Sequence, residues 1–202
     1  MAALRPAVFF DRDNTLIVND GYLGEPSRVR LIDGAAIAIA RARRMGFVVV
    51  TVSNQSGVAR GMFDEKAVHA VNAALDALLR RIDRDAIIDR HYFCPFHPQA
   101  VIQRYRIDSP LRKPAPGMIH LAERELNLDL KTSWLIGDAP RDIAAAKAAG
   151  CRSILFIPPN IAPSPSANQP GPPADFTVTS LAEAIDAIKS NRRDRPAAPP
   201  IP

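Results

Sequence analysis

Short apolar runs alternate with helical stripes along most of the chain. Ala7-Val-Phe-Phe10 carries no charge and is too short for a helix, which suits a strand buried on both faces of a parallel sheet. A polar, Gly-containing stretch from Asn19 to Arg30 follows, and then an Ala- and Arg-rich helical segment from Gly34 to Met45 that Gly46 stops. Phe47 to Val52 is β-branched and apolar, a second buried strand running into Ser53-Asn-Gln-Ser-Gly57. From Asp64, which reads as a cap, Val68, Val71, Leu75, Leu78, Leu79 and Ile82 recur at helical spacing. Further strands are predicted at Ile87–Phe93, Ser133–Gly137, Ser153–Ile157 and Phe176–Val178, and further helices at Gly117–Asn127, Arg141–Ala149 and Leu181–Lys189. Alternating units of this size predict an α/β fold, a doubly wound, Rossmann-like parallel sheet with helices on both faces.

Composition changes this picture little. The 202 residues, 47% hydrophobic and 23% charged, fit one globular domain, taken as residues 1–190. Pro158 to Ala174 is too rich in Pro, Ser and Asn for regular structure, and residues 191–202 read as a disordered tail. There is neither an apolar run of membrane length nor a signal-peptide core, so the expectation is a cytoplasmic protein without membrane association. Cys94 and Cys151 do not make a disulfide framework. A net charge of +5 favours anionic ligands but is too mild to argue for nucleic acid.

The polar groups at the predicted strand ends matter more. The first strand runs into Asp11 and Asp13, the second into Ser53 and Asn54, and the fourth into Asp138, with Asp142 on the following turn. Lys113 stands among prolines just before a helix. Parallel strands bring such ends to one edge of the sheet, where α/β folds place their chemistry. Two acids two positions apart repel one another, and a hard divalent cation is the usual remedy. Taken singly, each residue reads equally well as a cap, a turn residue or a solvated charge. Jointly they supply a nucleophile, an acid/base, donors, an ammonium and metal ligands.

In this order the residues resemble the haloacid dehalogenase (HAD) superfamily of phosphatases. The wording Asp11-Arg-Asp-Asn-Thr15, Asn19-Asp-Gly-Tyr22, Ser53-Asn-Gln-Ser-Gly-Val-Ala-Arg-Gly61 and Arg112-Lys-Pro-Ala-Pro-Gly-Met118 is similar to the branch that holds the heptose-bisphosphate and histidinol-phosphate phosphatases. The resemblance runs from Ala7 to Phe156 and leaves no insertion long enough for a separate cap domain. It implies a Mg²⁺-dependent phosphatase acting on a small phosphorylated metabolite through an aspartyl-phosphate; a monomer is expected separately from the resemblance. Asp11 would be the nucleophile and Asp13 the general acid/base. Asp11, Asp138 and the backbone carbonyl of Asp13 would hold Mg²⁺, with Asp142 behind them orienting Lys113 or metal-bound water. Ser53, the Asn54 backbone and Lys113 would bind the phosphoryl group. Arg112 would grip a second anionic group, with Gln55 and Arg60 beside it at the mouth. The substrate ranked first is a heptose 1,7-bisphosphate on the way to lipopolysaccharide, ahead of histidinol phosphate, a nucleic-acid 3′-phosphate, and a catalytically dead phosphosugar- or partner-binding module.

Two positions depart from the branch's pattern. Its structural zinc is bound through Cys-x-His and Cys-x-Cys, and here those four places hold Cys94, Phe96, Ser109 and Leu111. One ligand of four cannot close a tetrahedral site, so zinc is expected to be absent. Ala139 stands where relatives often carry Lys, which removes a positive charge beside the phosphate unless another cation takes its place.

Overall fold

The computed structural model describes residues 4–19, 21–159 and 170–192. Six parallel strands, β1 (Ala7–Phe10), β2 (Val48–Asn54), β3 (Arg90–Cys94), β4 (Trp134–Gly137), β5 (Arg152–Phe156) and β6 (Phe176–Val178), form one sheet in the order β3-β2-β1-β4-β5-β6. The chain winds outward from β1 in one direction and then from β4 in the other. The switch point therefore falls between β1 and β4, where a doubly wound sheet opens a crevice at its carboxyl edge. Phe10 is in register with both Thr51 and Ile136, which brings the ends of β1, β2 and β4 level.

The sheet is covered on both faces, as its unbroken apolar strands require. Val8, Phe10, Val49, Ile136 and Ile154 pack on one side against α1 (Ala35–Arg44), α3 (Glu65–Ile82) and α6 (Leu181–Ser190). Ala7, Phe9, Val50 and Leu135 face α4 (Gly117–Leu126) and α5 (Pro140–Ala148) on the other. The short α2 (Ser56–Ala59) follows β2 directly. The Asp64 carboxylate accepts the Ala67 N–H and caps α3. Gly34 and Gly46 bracket α1, both in the left-handed region.

The expected elements are present, with shifted ends. β3 begins at Arg90 rather than Ile87, because Asp89 turns its carboxylate to the Val49 N–H and to Arg43 before pairing starts. His91, which stands in no sequence motif, has a structural task. Its ring joins Thr51 Oγ1 at 2.7 Å and Asp76 at 3.2 Å, tying β2, β3 and α3 together. At the C-terminus, Asn191 bonds back to α6 and accepts from Arg152, and the Arg192 guanidinium lies over the Phe47 ring. The rest of the expected tail, 193–202, and the middle of the Pro-rich segment, 160–169, lie outside the described residues. Among the described residues no helix is long and apolar enough to cross a membrane.

Candidate active site

The Asp11 carboxylate follows β1 directly and is buried with the groups around it. Its Oδ1 accepts the Arg12 N–H at 2.7 Å and lies 3.0 Å from Lys113 Nζ. Asp142, in the first turn of α5, puts its own Oδ1 2.6 Å from the same ammonium, and its Oδ2 accepts the Ala139 N–H. The third acceptor around Lys113 is the Val52 carbonyl at 2.6 Å. Asn54 fixes this lysine from behind. Its amide accepts the Lys113 N–H and donates to the Lys113 carbonyl, a two-point clamp between the end of β2 and the loop before α4.

Burial alone would discharge the Lys113 ammonium, but the carboxylates of Asp11 and Asp142 outweigh it and hold the pKa above its ordinary value. Asp138 goes the other way. Burial first, then the nearby carboxylates of Asp11 and Asp142, push it up to about 7. Its Oδ1 is buried with no hydrogen-bond partner among the described residues. The carboxylate oxygens of Asp11, Asp138 and Asp142 lie within 4.8 Å of one another. Three carboxylates around one ammonium and one guanidinium leave an excess of negative charge and an orphaned oxygen, which is what a hard cation satisfies.

Asp13 is held from two sides. The Arg12 guanidinium reaches both of its oxygens at 3.1–3.3 Å, and Gln55 Nε2 donates to Oδ2 at 2.7 Å. The same Gln55 amide bonds Ser53 Oγ, so Gln55 links the two rather than standing at the mouth. Arg12 is itself buried, anchored by Asn72 of α3 at 3.0 Å. The turn that places Asp13 depends on Asn14, whose φ of 57° is the left-handed conformation Asn tolerates.

Arg112 is half-buried and donates weakly to the Phe96 carbonyl at 3.4 Å. Burial lowers its pKa, and the guanidiniums of Arg141 and Arg60 add to that, against opposing effects of Cys94 and Tyr22. Burial also lowers His97, with Arg112 and Arg60 contributing. Arg60 is exposed and lies 5.8 Å over the Tyr22 ring. The loop bearing Tyr22 is pinned by Phe63, whose ring fills the space a Cβ would need at both Gly24 and Gly57. This mouth is positively charged.

The comparisons with known proteins bear on the whole of this arrangement. A model of HAD-hydrolase-like proteins matches residues 110–184. Over 193 residues the chain is 37% identical to the D-glycero-beta-D-manno-heptose-1,7-bisphosphate 7-phosphatase of Escherichia coli K12, spanning 96% of this chain and 98% of that one. This chain belongs to the HAD-like phosphatases. It is also 42% identical over 156 residues to the protein of the same name from Rhodopseudomonas palustris, covering 77% of this chain and 85% of the other. Among solved structures, a HAD-like phosphatase from Mesorhizobium loti superposes with a TM-score of 0.80 at 36% identity, over 96% of this chain and 90% of that one. The D,D-heptose 1,7-bisphosphate phosphatase of B. bronchiseptica, complexed with magnesium and phosphate, gives 0.78 at 27% identity, over 92% and 98%. The chain is a phosphoric monoester hydrolase of this fold.

Within this HAD-like phosphatase, the residues not legible in sequence are Arg12, Asn72 and Arg141. Arg141 puts Nη2 3.8 Å from Asp11 Oδ2 and 3.7 Å from Asp138 Oδ1. Ala139, the position that lacks the expected lysine, is wholly buried. Gly137 explains the first residue of the Gly-Asp-x-x-x-Asp motif. A Cβ there would sit 2.4 Å from Asp142 Cβ and 2.5 Å from its Cγ. Gly137→Ala must therefore push Asp142 off Lys113. Overpacking of this kind costs about 1–3 kcal/mol, and we expect a lower melting temperature together with a loss of turnover of roughly tenfold or more. An alanine variant matching the parent in both would show that Asp142 can shift without consequence.

Proposed function

We propose that this phosphatase removes the 7-phosphate of D-glycero-D-manno-heptose 1,7-bisphosphate, working as a Mg²⁺-dependent cytoplasmic monomer. The observation that carries the substrate reading is the set of guanidiniums, Arg60, Arg112 and Arg141, at the mouth of an Asp11-centred site, a match for a substrate with two anionic groups. The full-length likeness to relatives named for that substrate points the same way.

Asp11 Oδ1 is already taken by two donors, which leaves Oδ2 as the better nucleophile toward phosphorus. As the Asp11–phosphorus bond forms, the ester P–O bond breaks and Asp13 gives its proton to the departing oxygen. Water then attacks the phosphorus and passes a proton to Asp13, and the aspartyl-phosphate bond breaks to release inorganic phosphate. Arg12 and Gln55 keep the Asp13 carboxyl in place through both steps. Asp11, Asp138 and the Asp13 backbone carbonyl would hold Mg²⁺, which when bound neutralises charge on the phosphoryl oxygens.

Structural zinc has no part in this reading. At the four loop positions, Cys94 Sγ lies against the Phe96 carbonyl, Phe96 packs on Tyr105, Ser109 Oγ accepts the Leu111 N–H, and Leu111 packs against the core.

Arg112→Ala tests the substrate. For the heptose bisphosphate, kcat/KM should fall roughly ten- to a hundredfold, the usual cost of a lost hydrogen bond to a charged group. An aryl monophosphate should lose little, since Asp11, Asp13 and Asp138 are untouched. Equal losses on both substrates would assign Arg112 to the reacting phosphoryl group instead and remove the case for a second anion.

A further inference from the structure

We propose that Asn72 is a positioning residue for the general acid/base, acting on Asp13 through the buried guanidinium of Arg12. The proposal rests on the assignment of Asp13 above and names what sets that carboxyl in place. The core-facing stripe of α3 is made of Val68, Val71, Leu75 and Leu79, all fully buried. Asn72 stands among them at 5% exposure. An aliphatic side chain would serve that packing without the cost of burying an amide. What the amide does serve is Arg12, whose Nη1 donates to Asn72 Oδ1 at 3.0 Å.

That bond decides which edge of the guanidinium faces the site. With Nη1 held by α3, the Nε–Nη2 edge meets Asp13. Nε and Nη2 reach Oδ1 at 3.2 and 3.1 Å, and Nη2 also lies 3.3 Å from Oδ2. The donors of a guanidinium are fixed in one plane, so turning Nη1 turns the edge that carries the carboxylate. Arg12 is only 1% exposed, and solvent cannot stand in for a lost Asn72 oxygen. A buried donor without an acceptor is costly, so the guanidinium would swing and take its grip on Asp13 with it. From the other side Gln55 fixes Oδ2 and is itself tied to Ser53. Asp13 is thus suspended between α3, through Arg12, and the end of β2. Its side chain is 18% exposed against 1% for Arg12, so the acid/base opens to the site while the group that aims it is sealed beneath.

The test compares leaving groups in the full chain, since a departing alkoxide needs a proton and nitrophenol does not. Asn72→Leu, with Asn72→Ala beside it in case leucine crowds the core, removes the acceptor. Either should lose roughly ten- to a hundredfold in kcat/KM on the heptose bisphosphate, or on another alkyl phosphate the parent hydrolyses. On nitrophenyl phosphate kcat/KM should hold while kcat and KM fall together, because the phosphoryl-enzyme forms normally and then waits for its base. Asn72→Asp, which keeps an oxygen beside Nη1, should stay near the parent on both esters. In an Asp13→Asn background Asn72→Leu should cost nothing further, the mark of two residues acting through one group. Equal losses of kcat/KM on both esters overturn the proposal, since a general loosening of the site would do that. So do parental rates on the alkyl ester, a further loss in the Asp13→Asn background, or an Asp variant as poor as the Leu one. If Asp13→Asn itself showed no dependence on the leaving group, the acid/base assignment would fail first and the role of Asn72 with it. A leaving-group effect in Asp13→Asn that Asn72→Leu does not share counts against Asn72 alone.

Discussion

Asp11→Asn should abolish turnover on every phosphate ester while leaving the fold intact. An amide cannot form an acyl-phosphate, and Asn in that position still offers an oxygen to the Arg12 N–H that orients the parent carboxylate at 2.7 Å. The companion variant Asp13→Asn separates the two halves of the reaction. With a poor leaving group such as a sugar oxygen, the loss should be about 10²–10⁴-fold, the range for removing a general acid/base. With nitrophenyl phosphate the leaving group needs no proton, so the first step survives and the second does not. The expected signature is a burst of about one equivalent of nitrophenol per enzyme followed by slow turnover. Phosphate release by the Asp11→Asn enzyme at anything near the parental rate would end the covalent mechanism.

Lys113→Met should be the most destabilising single change at the site. The ammonium is buried between Asp11 and Asp142, and methionine matches its length without its charge. Removing one partner of a buried ion pair costs about 3–5 kcal/mol, because the carboxylates left behind are neither solvated nor paired. For a domain of this size that is roughly 6–20 °C in melting temperature. Activity should fall at least about 10²-fold, since Asp11 loses the contact that fixes its rotamer. Lys113→Arg should not rescue it, as a planar guanidinium cannot meet the three acceptors that converge on the single ammonium nitrogen. A methionine variant that melts within about 2 °C of the parent would show that the pair is neutralised by protonation rather than by Lys113.

The sheet was legible because buried parallel strands announce themselves as uncharged runs, and the carboxylates that end them stand in the same short motifs. Asp11, Lys113, Asp138 and Asp142, read from separated motifs, come together in the structure: Lys113 pairs with Asp11 and Asp142, and a carboxylate oxygen from each of Asp11, Asp138 and Asp142 lies within 4.8 Å of the others. Long-range direction was what the sequence hid. Arg12 reads as one more residue of a charged turn, yet it buries its guanidinium against Asn72, sixty positions away on α3. Gln55 sits beside Ser53 in sequence, but its reach across to Asp13 depends on the left-handed turn at Asn14. Arg141 follows a proline at a helix start, a place where a solvated arginine is ordinary. Only the close register of β1 and β4 turns it toward Asp11.

The strand order has a consequence for how the molecule is made. β4 hydrogen-bonds to β1, but residues 11–133 lie between them in sequence, so synthesis delivers β1, β2 and β3 long before their neighbour. Until Trp134–Gly137 has left the ribosome, one edge of Ala7–Phe10 stays open and Phe9 and Phe10 lack their final cover. Such an edge invites pairing with other chains. The same delay keeps the nucleophile idle, since Asp138 and Asp142 arrive with the missing strand. Catalytic competence and protection from aggregation are therefore acquired in a single late event, and a truncated chain ending before residue 134 should be both inert and insoluble.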